Sequence, residues 1–112
     1  VRQEAQSVDA VALQLDHTAL PHQSVMHGSP TTGHRELASL SDMSIGVWEH
    51  TPGVSRDVES DEVFVVLTGD ATVAFDDGSP AIDLRPGSLA RLYTGQRTTW
   101  TVRQTLRKVY IA

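Results

Sequence analysis

The 112-residue chain has no cysteine. Disulfide staples, thiolate metal sites and cysteine nucleophiles are therefore excluded, and a reducing, cytoplasmic setting is expected. Aromatic residues are scarce: two tryptophans, two tyrosines and two phenylalanines. Each carries a large share of whatever aromatic surface a core or pocket will have. No apolar run approaches the ~20 residues of a membrane helix, and the opening "VRQEAQSVDA" lacks the hydrophobic centre of a signal peptide. No membrane partner is expected. Basic residues are also few: nine Lys and Arg against fourteen Asp and Glu, a net charge of −5 that argues against a nucleic-acid partner.

The charge that is present is segregated. Eight acidic residues and no basic one lie between Asp57 and Asp83, whereas six basic residues and no acidic one follow from Leu84 onward. Cross-strand ion pairing within one domain is the expectation. From residue 45 the chain reads as short strands separated by turns: "SIGVWEH", "EVFVVLTG", "ATVAFDDG", "PAIDLRPG", "SLARLYTG", "TTWTVRQ" and "TLRKVYIA". Period-two alternation, β-branched residues and regular turn signals predict an all-β sandwich or barrel, without helix. Upstream, "VALQL" and "RELASL" are further candidate strands, and "PHQSVMHGSPTTGH" between them reads as a loop. One domain over 1–112 is expected, with N-terminal strands and loops over 1–42 and the barrel segment over 43–112. The run "VFVVL" is apolar on both faces, so one face fills an interior and the other needs a cover. A homodimer is the expected arrangement.

The segment from Glu62 to Gly95 resembles the cupins, small jelly-roll β-barrels. Glu62, six residues and Gly69 match the end of the family's first motif, G-x5-H-x-H-x3,4-E-x6-G. Gly87, Tyr93 and Gly95 match the frame of the second, G-x5-P-x-G-x2-H-x3-N, with tyrosine in the proline position. "IGVWEHTPG" and "TTWTVRQTLRKVY" are similar to segments of the small cupins related to ureidoglycine aminohydrolase and to the ethanolamine-utilisation Q protein. The resemblance implies a cupin-type jelly-roll β-barrel acting on a small polar metabolite. It also implies a metal site whose histidines are missing here. Their positions fall at Arg56 and Val58, or at Ser55 and Asp57, according to the spacing, and the second-motif position is Thr98. Only Glu62 keeps a ligating side chain. One carboxylate does not hold a divalent transition metal, so no metal and no cofactor are expected. A non-standard set of His50, Asp57 and Glu62 is the one fallback.

Glu62 is the leading catalytic candidate, an inward carboxylate suited to acid–base work. His50 shares a strand face with Trp48 by alternation. Phe64 shares one with Glu62, and Trp100 shares one with Thr98. Arg56 and Lys108 are candidate anchors for a ligand carboxylate. The expected pocket is thus Trp48, His50, Arg56, Glu62, Phe64, Thr98, Trp100 and Lys108. His17, His22, His27 and His34 read as solvated loop histidines, and Arg91 as an outward side chain. The expected function is binding or transforming an amide, ureide or carboxylate metabolite. The alternative is a non-catalytic small-molecule-binding or accessory module. A tightly packed interior would favour a third reading, a purely structural dimer. An open one with Glu62 unpaired by any cation would favour an enzyme.

Overall fold

The computed structural model describes residues 3–112, and it is all-β apart from one short 3-10 turn, His22–Ser24. Nine strands form one curled antiparallel sheet. They are β1 (Thr18–Ala19), β2 (Val25–His27), β3 (Thr31–Leu40), β4 (Met43–His50), β5 (Gly53–Val58), β6 (Glu62–Phe75), β7 (Ile82–Leu84), β8 (Leu89–Leu92) and β9 (Arg97–Ile111).

Strand β9 organises the sheet. One edge pairs with β6 along its length. The other pairs with β5 through Arg97–Val102 and with β4 through Leu106–Ile111. Even-numbered residues on either side of the exposed Gln104 point inward: Thr98, Trp100, Val102, Leu106 and Lys108 are all buried. With Phe64, Val66, Ala71, Val73, Leu84 and Leu92 the apolar members of that series form the core.

Two sequence-based boundaries do not stand. "EVFVVLTG" and "ATVAFDDG" are one strand, and so are "TTWTVRQ" and "TLRKVYIA". In β6 the inward phase switches from Phe64 and Val66 to Ala71 and Val73. The register against β9 shifts between Val66 and Ala71, which is a bulge rather than an end. Gly69 sits there at φ 109°, and a Cβ on it would collide with the Thr105 carbonyl oxygen. The glycine that closes the first motif is therefore needed for a local kink and a close backbone approach.

The N-terminal part departs further. "VALQL" forms no strand, whereas the supposed loop contains β2 and the start of β3. "GVSRDV", not read as a strand, is β5. Arg107 ties the N-terminal segment down: its Nη1 donates to the Ala10 and Leu13 carbonyls at 3.0 and 2.6 Å, and its Nε donates to Glu49 at 2.7 Å. The expected cross-strand ion pairing is present. Arg103 pairs with Asp70, Arg56 with Asp76 and Arg91 with Asp61. Arg91 points outward, as its neighbours implied. On the outer face of the sheet Leu89, Met43 and Ile111 are exposed.

Candidate functional site

The curl encloses a cavity of about 400 Å³ between the inner faces of β3, β4, β5, β6 and β9. Its inner end is set by strand alternation. Trp48 lies opposite Lys108 across the β4–β9 ladder, and Ser55 and Asp57 lie opposite Trp100 and Thr98 across the β5–β9 ladder. The register thereby decides between the two motif alignments. Ser55, buried, and Asp57, exposed but lining the cavity, occupy the histidine positions opposite Trp100 and Thr98, whereas Arg56 turns to Asp76.

Lys108 is the most constrained group. Its side chain is 5 % exposed, and Nζ donates to Glu62 Oε2 at 2.6 Å. Nζ also lies 4.4 Å from the Trp48 ring centre, 4.3 Å from that of Phe64 and 5.0 Å from that of Trp100. Burial pulls the lysine pKa below its ordinary value, against the attraction of Glu62. Ring faces carry negative quadrupole, so three of them partly replace the water that the ammonium has lost.

Glu59 was not singled out from the sequence, yet it is the second acid of the site. Its Oε2 accepts from Thr98 Oγ1 at 2.6 Å and from Trp100 Nε1 at 3.0 Å. No cation bonds it. Burial raises its pKa above the ordinary carboxyl value, outweighing those two hydrogen bonds. The signal was available: 55, 57 and 59 continue one period-two series. The series holds past the end of β5 because Glu59 N–H donates to the Gln96 carbonyl at 2.8 Å and Gly95 N–H donates to the Glu59 carbonyl at 2.9 Å.

His50 is 1 % exposed. Its Nδ1 lies 2.7 Å from the Thr51 carbonyl oxygen, and its Nε2 lies 2.9 Å from Ser55 Oγ. A carbonyl only accepts, so Nδ1 carries the proton and Nε2 accepts from the Ser55 hydroxyl. Burial lowers the His50 pKa. The Thr51 carbonyl opposes that shift, and the Lys108 charge adds to it.

The sequence-derived pocket is thus brought together in part. Trp48, His50, Glu62, Trp100 and Lys108 line the cavity. Arg56 borders it, but its guanidinium is engaged by Asp76. Phe64 and Thr98 lie behind the wall, at 1 % and 0 % exposure. The supposed loop histidines are not all in loops: His22 opens the 3-10 turn, His27 ends β2, and His34 stands on β3 opposite Trp48 and faces the cavity, while His17, outside any element, bonds Glu49 at 2.7 Å and Thr31 at 2.9 Å. Glu62, the leading acid–base candidate, has a cation on it.

The fallback metal set of His50, Asp57 and Glu62 does not assemble. Among the described residues no three His, Asp or Glu side chains stand in a metal-holding group. The motif positions do not fit a divalent ion either. Ser55 and Thr98 are hydroxyls engaged by His50 and Glu59, and an ammonium 2.6 Å from Glu62 would repel a cation there.

The curled antiparallel sheet with a ligand-sized cavity on its inner face fits a jelly-roll barrel. A family model described as the EutQ-like cupin domain matches residues 37–110, and the chain belongs to that family. No curated protein matches the sequence. Among solved structures, a protein of unknown function from Pseudomonas syringae pv. tomato superposes with a TM-score of 0.77 at 22 % identity. That match covers 93 % of this chain and 46 % of the other, so the chain spans about half the length of that relative. The Clostridium difficile EutQ protein gives a TM-score of 0.70 at 15 % identity, covering 94 % and 83 % of the two chains. Ectoine synthase from P. lautus gives 0.62 at 16 %, covering 71 % and 62 %.

Proposed function

We propose that this cupin binds a small polar metabolite bearing a carboxylate, amide or ureide group, and does so without a metal. The observation that carries the reading is Lys108, an ammonium buried among three aromatic rings with one carboxylate on it. It has three N–H donors, and Glu62 uses one. A ligand carboxylate or carbonyl entering the cavity takes a second. Glu59, its pKa raised by burial, places a second carboxyl within the cavity from just past the end of β5, as a further polar partner for the ligand. The Trp48 and Trp100 rings, 5.5 Å apart between centres, give the planar part of the ligand an apolar surface. A volume of about 400 Å³ lies in the range of small-ligand pockets and speaks against a packed, purely structural interior. The fold serves catalysis in at least one neighbour, ectoine synthase.

Both tryptophans of the chain line the cavity, so its occupancy is read directly from intrinsic fluorescence. Titration with a panel of small monocarboxylates, amides and ureides is expected to find members that shift the emission saturably. The shift should vanish in Lys108→Met. If no member of the panel moves the emission, or if Lys108→Met responds as the parent does, the reading fails.

A further inference from the structure

We infer that Ser55 and His50 form a nucleophile–base pair, and that the cavity carries out acyl transfer to water on an ester of a small carboxylic acid. This inference rests on the reading of the cavity as a small-molecule site. Both residues line that cavity, and both are held by strands anchored to β9. His50 lies opposite Leu106 and Ser55 opposite Trp100. The corner between β4 and β5 is fixed at Gly53, where a Cβ would stand 2.8 Å from the Pro30 ring. The nucleophile's hydroxyl, the base and the group that orients the base stand in line: Ser55 Oγ to His50 Nε2 at 2.9 Å, then Nδ1 to the Thr51 carbonyl at 2.7 Å. That is the geometry of an activated serine, with a backbone carbonyl as the orienting group instead of a carboxylate. Because Nδ1 must donate, Nε2 has its lone pair on the serine proton.

The surroundings suit such a base. The charged or titratable groups facing the same cavity are His34 on β3, Arg56 and Asp57 on β5, Glu59 after it, Glu62 on β6, and Lys108 and Tyr110 on β9, with the Arg56 guanidinium engaged by Asp76. Lys108 is the cation among them that acts on His50. It disfavours the imidazolium at rest and keeps the base free. The same ammonium is at hand for negative charge that develops on a carbonyl oxygen.

The steps balance. Ser55 Oγ bonds to the carbonyl carbon as its proton passes to His50 Nε2, and the carbonyl oxygen becomes an oxyanion against Lys108. The bond to the leaving alcohol then breaks, and Nε2 returns the proton to the departing oxygen. The resulting Ser55 ester is attacked by a water whose proton goes to Nε2. Collapse breaks the bond to Ser55 Oγ, which takes the proton back from Nε2, and releases the carboxylic acid. The net reaction is ester plus water to acid plus alcohol, with no oxidant, reductant or metal.

The test uses the intact chain and a small alkyl fluorophosphonate, which gains a bond from phosphorus to an activated serine oxygen as fluoride leaves. Intact mass and peptide mapping are expected to show one adduct, on Ser55. His50→Gln is expected to slow its formation by ~100-fold or more, the scale of general-base assistance. An adduct on another hydroxyl, no adduct at all, or labelling of His50→Gln at the parent rate overturns the pair. Wild-type labelling decides the matter even if His50→Gln does not fold. Saturable tryptophan shifts without a Ser55 adduct would remove the dyad and leave the binding reading standing. Absence of both results would remove both.

Discussion

Replacing Glu62 with glutamine should destabilise the protein more than replacing its partner, Lys108, with methionine. The two side chains are 17 % and 5 % exposed. In Glu62→Gln the ammonium stays behind, deep among Trp48, Phe64 and Trp100, with no anion on it. Removing one partner of a buried pair in this way costs about 3 kcal/mol, the lower end of the usual range, because the lysine escapes part of the penalty by losing its proton. In Lys108→Met the apolar stem and the aromatic contacts survive, and the carboxylate left behind is the more exposed partner. A cost of about 1 kcal/mol is expected there. With a urea slope of ~1.5 kcal/mol/M for a domain this size, Glu62→Gln should lower the unfolding midpoint by about 2 M. The double variant should be more stable than Glu62→Gln alone, since the stranded charge is gone. The pH dependence has a definite sign. A lysine whose folded pKa lies below its unfolded value binds fewer protons when folded, so its contribution to stability rises with pH as the ordinary lysine value is approached. The Glu62→Gln deficit should therefore shrink between pH 7 and 10. Equal destabilisation by the two single variants, or a deficit that does not change with pH, would refute the account of Lys108 as a desolvated, pair-dependent cation.

Glu59 makes the opposite kind of prediction. Its folded pKa is raised, so stability from this group is present at low pH and is lost as pH rises through the folded value. Glu59→Gln should gain on the parent between pH 4 and 7 in thermal unfolding; an unchanged difference would contradict the assignment. Gly69→Ala meets a positive φ and would place its Cβ 2.6 Å from Leu106 Cα, so the bulge must distort. A loss of about 2 kcal/mol or more is expected in denaturant unfolding. The outer face of β6 and β8, with Leu89 74 % exposed, motivates a homodimer. Sedimentation at micromolar concentration should show about twice the 12.2 kDa chain mass, and a Leu89→Glu variant should shift it toward the monomer.

The amino-acid sequence by itself determined the fold class and much of the cavity wall. The reason is that both depend on local pattern. Period-two alternation placed His50 with Trp48, and Lys108 with Leu106 and Tyr110, on single faces, and strand geometry keeps them there. The glycine and glutamate spacing marked the barrel even though its histidines are gone. Tertiary structure decided what alternation cannot. The bulge at Gly69 switches the inward phase within one strand, so a glycine that reads as a turn signal lies inside β6 rather than at its end. The β5–β9 register chose Ser55 and Asp57 over Arg56 and Val58, a choice of one residue that inverts every side chain in the strand. The pairing of Lys108 with Glu62, and the isolation of Glu59 on Thr98 and Trp100, join residues 46, 39 and 41 positions apart. Which carboxyl is neutralised by a cation and which has its pKa raised by burial depends on distance and desolvation across the curl. Those quantities exist only once the sheet has closed.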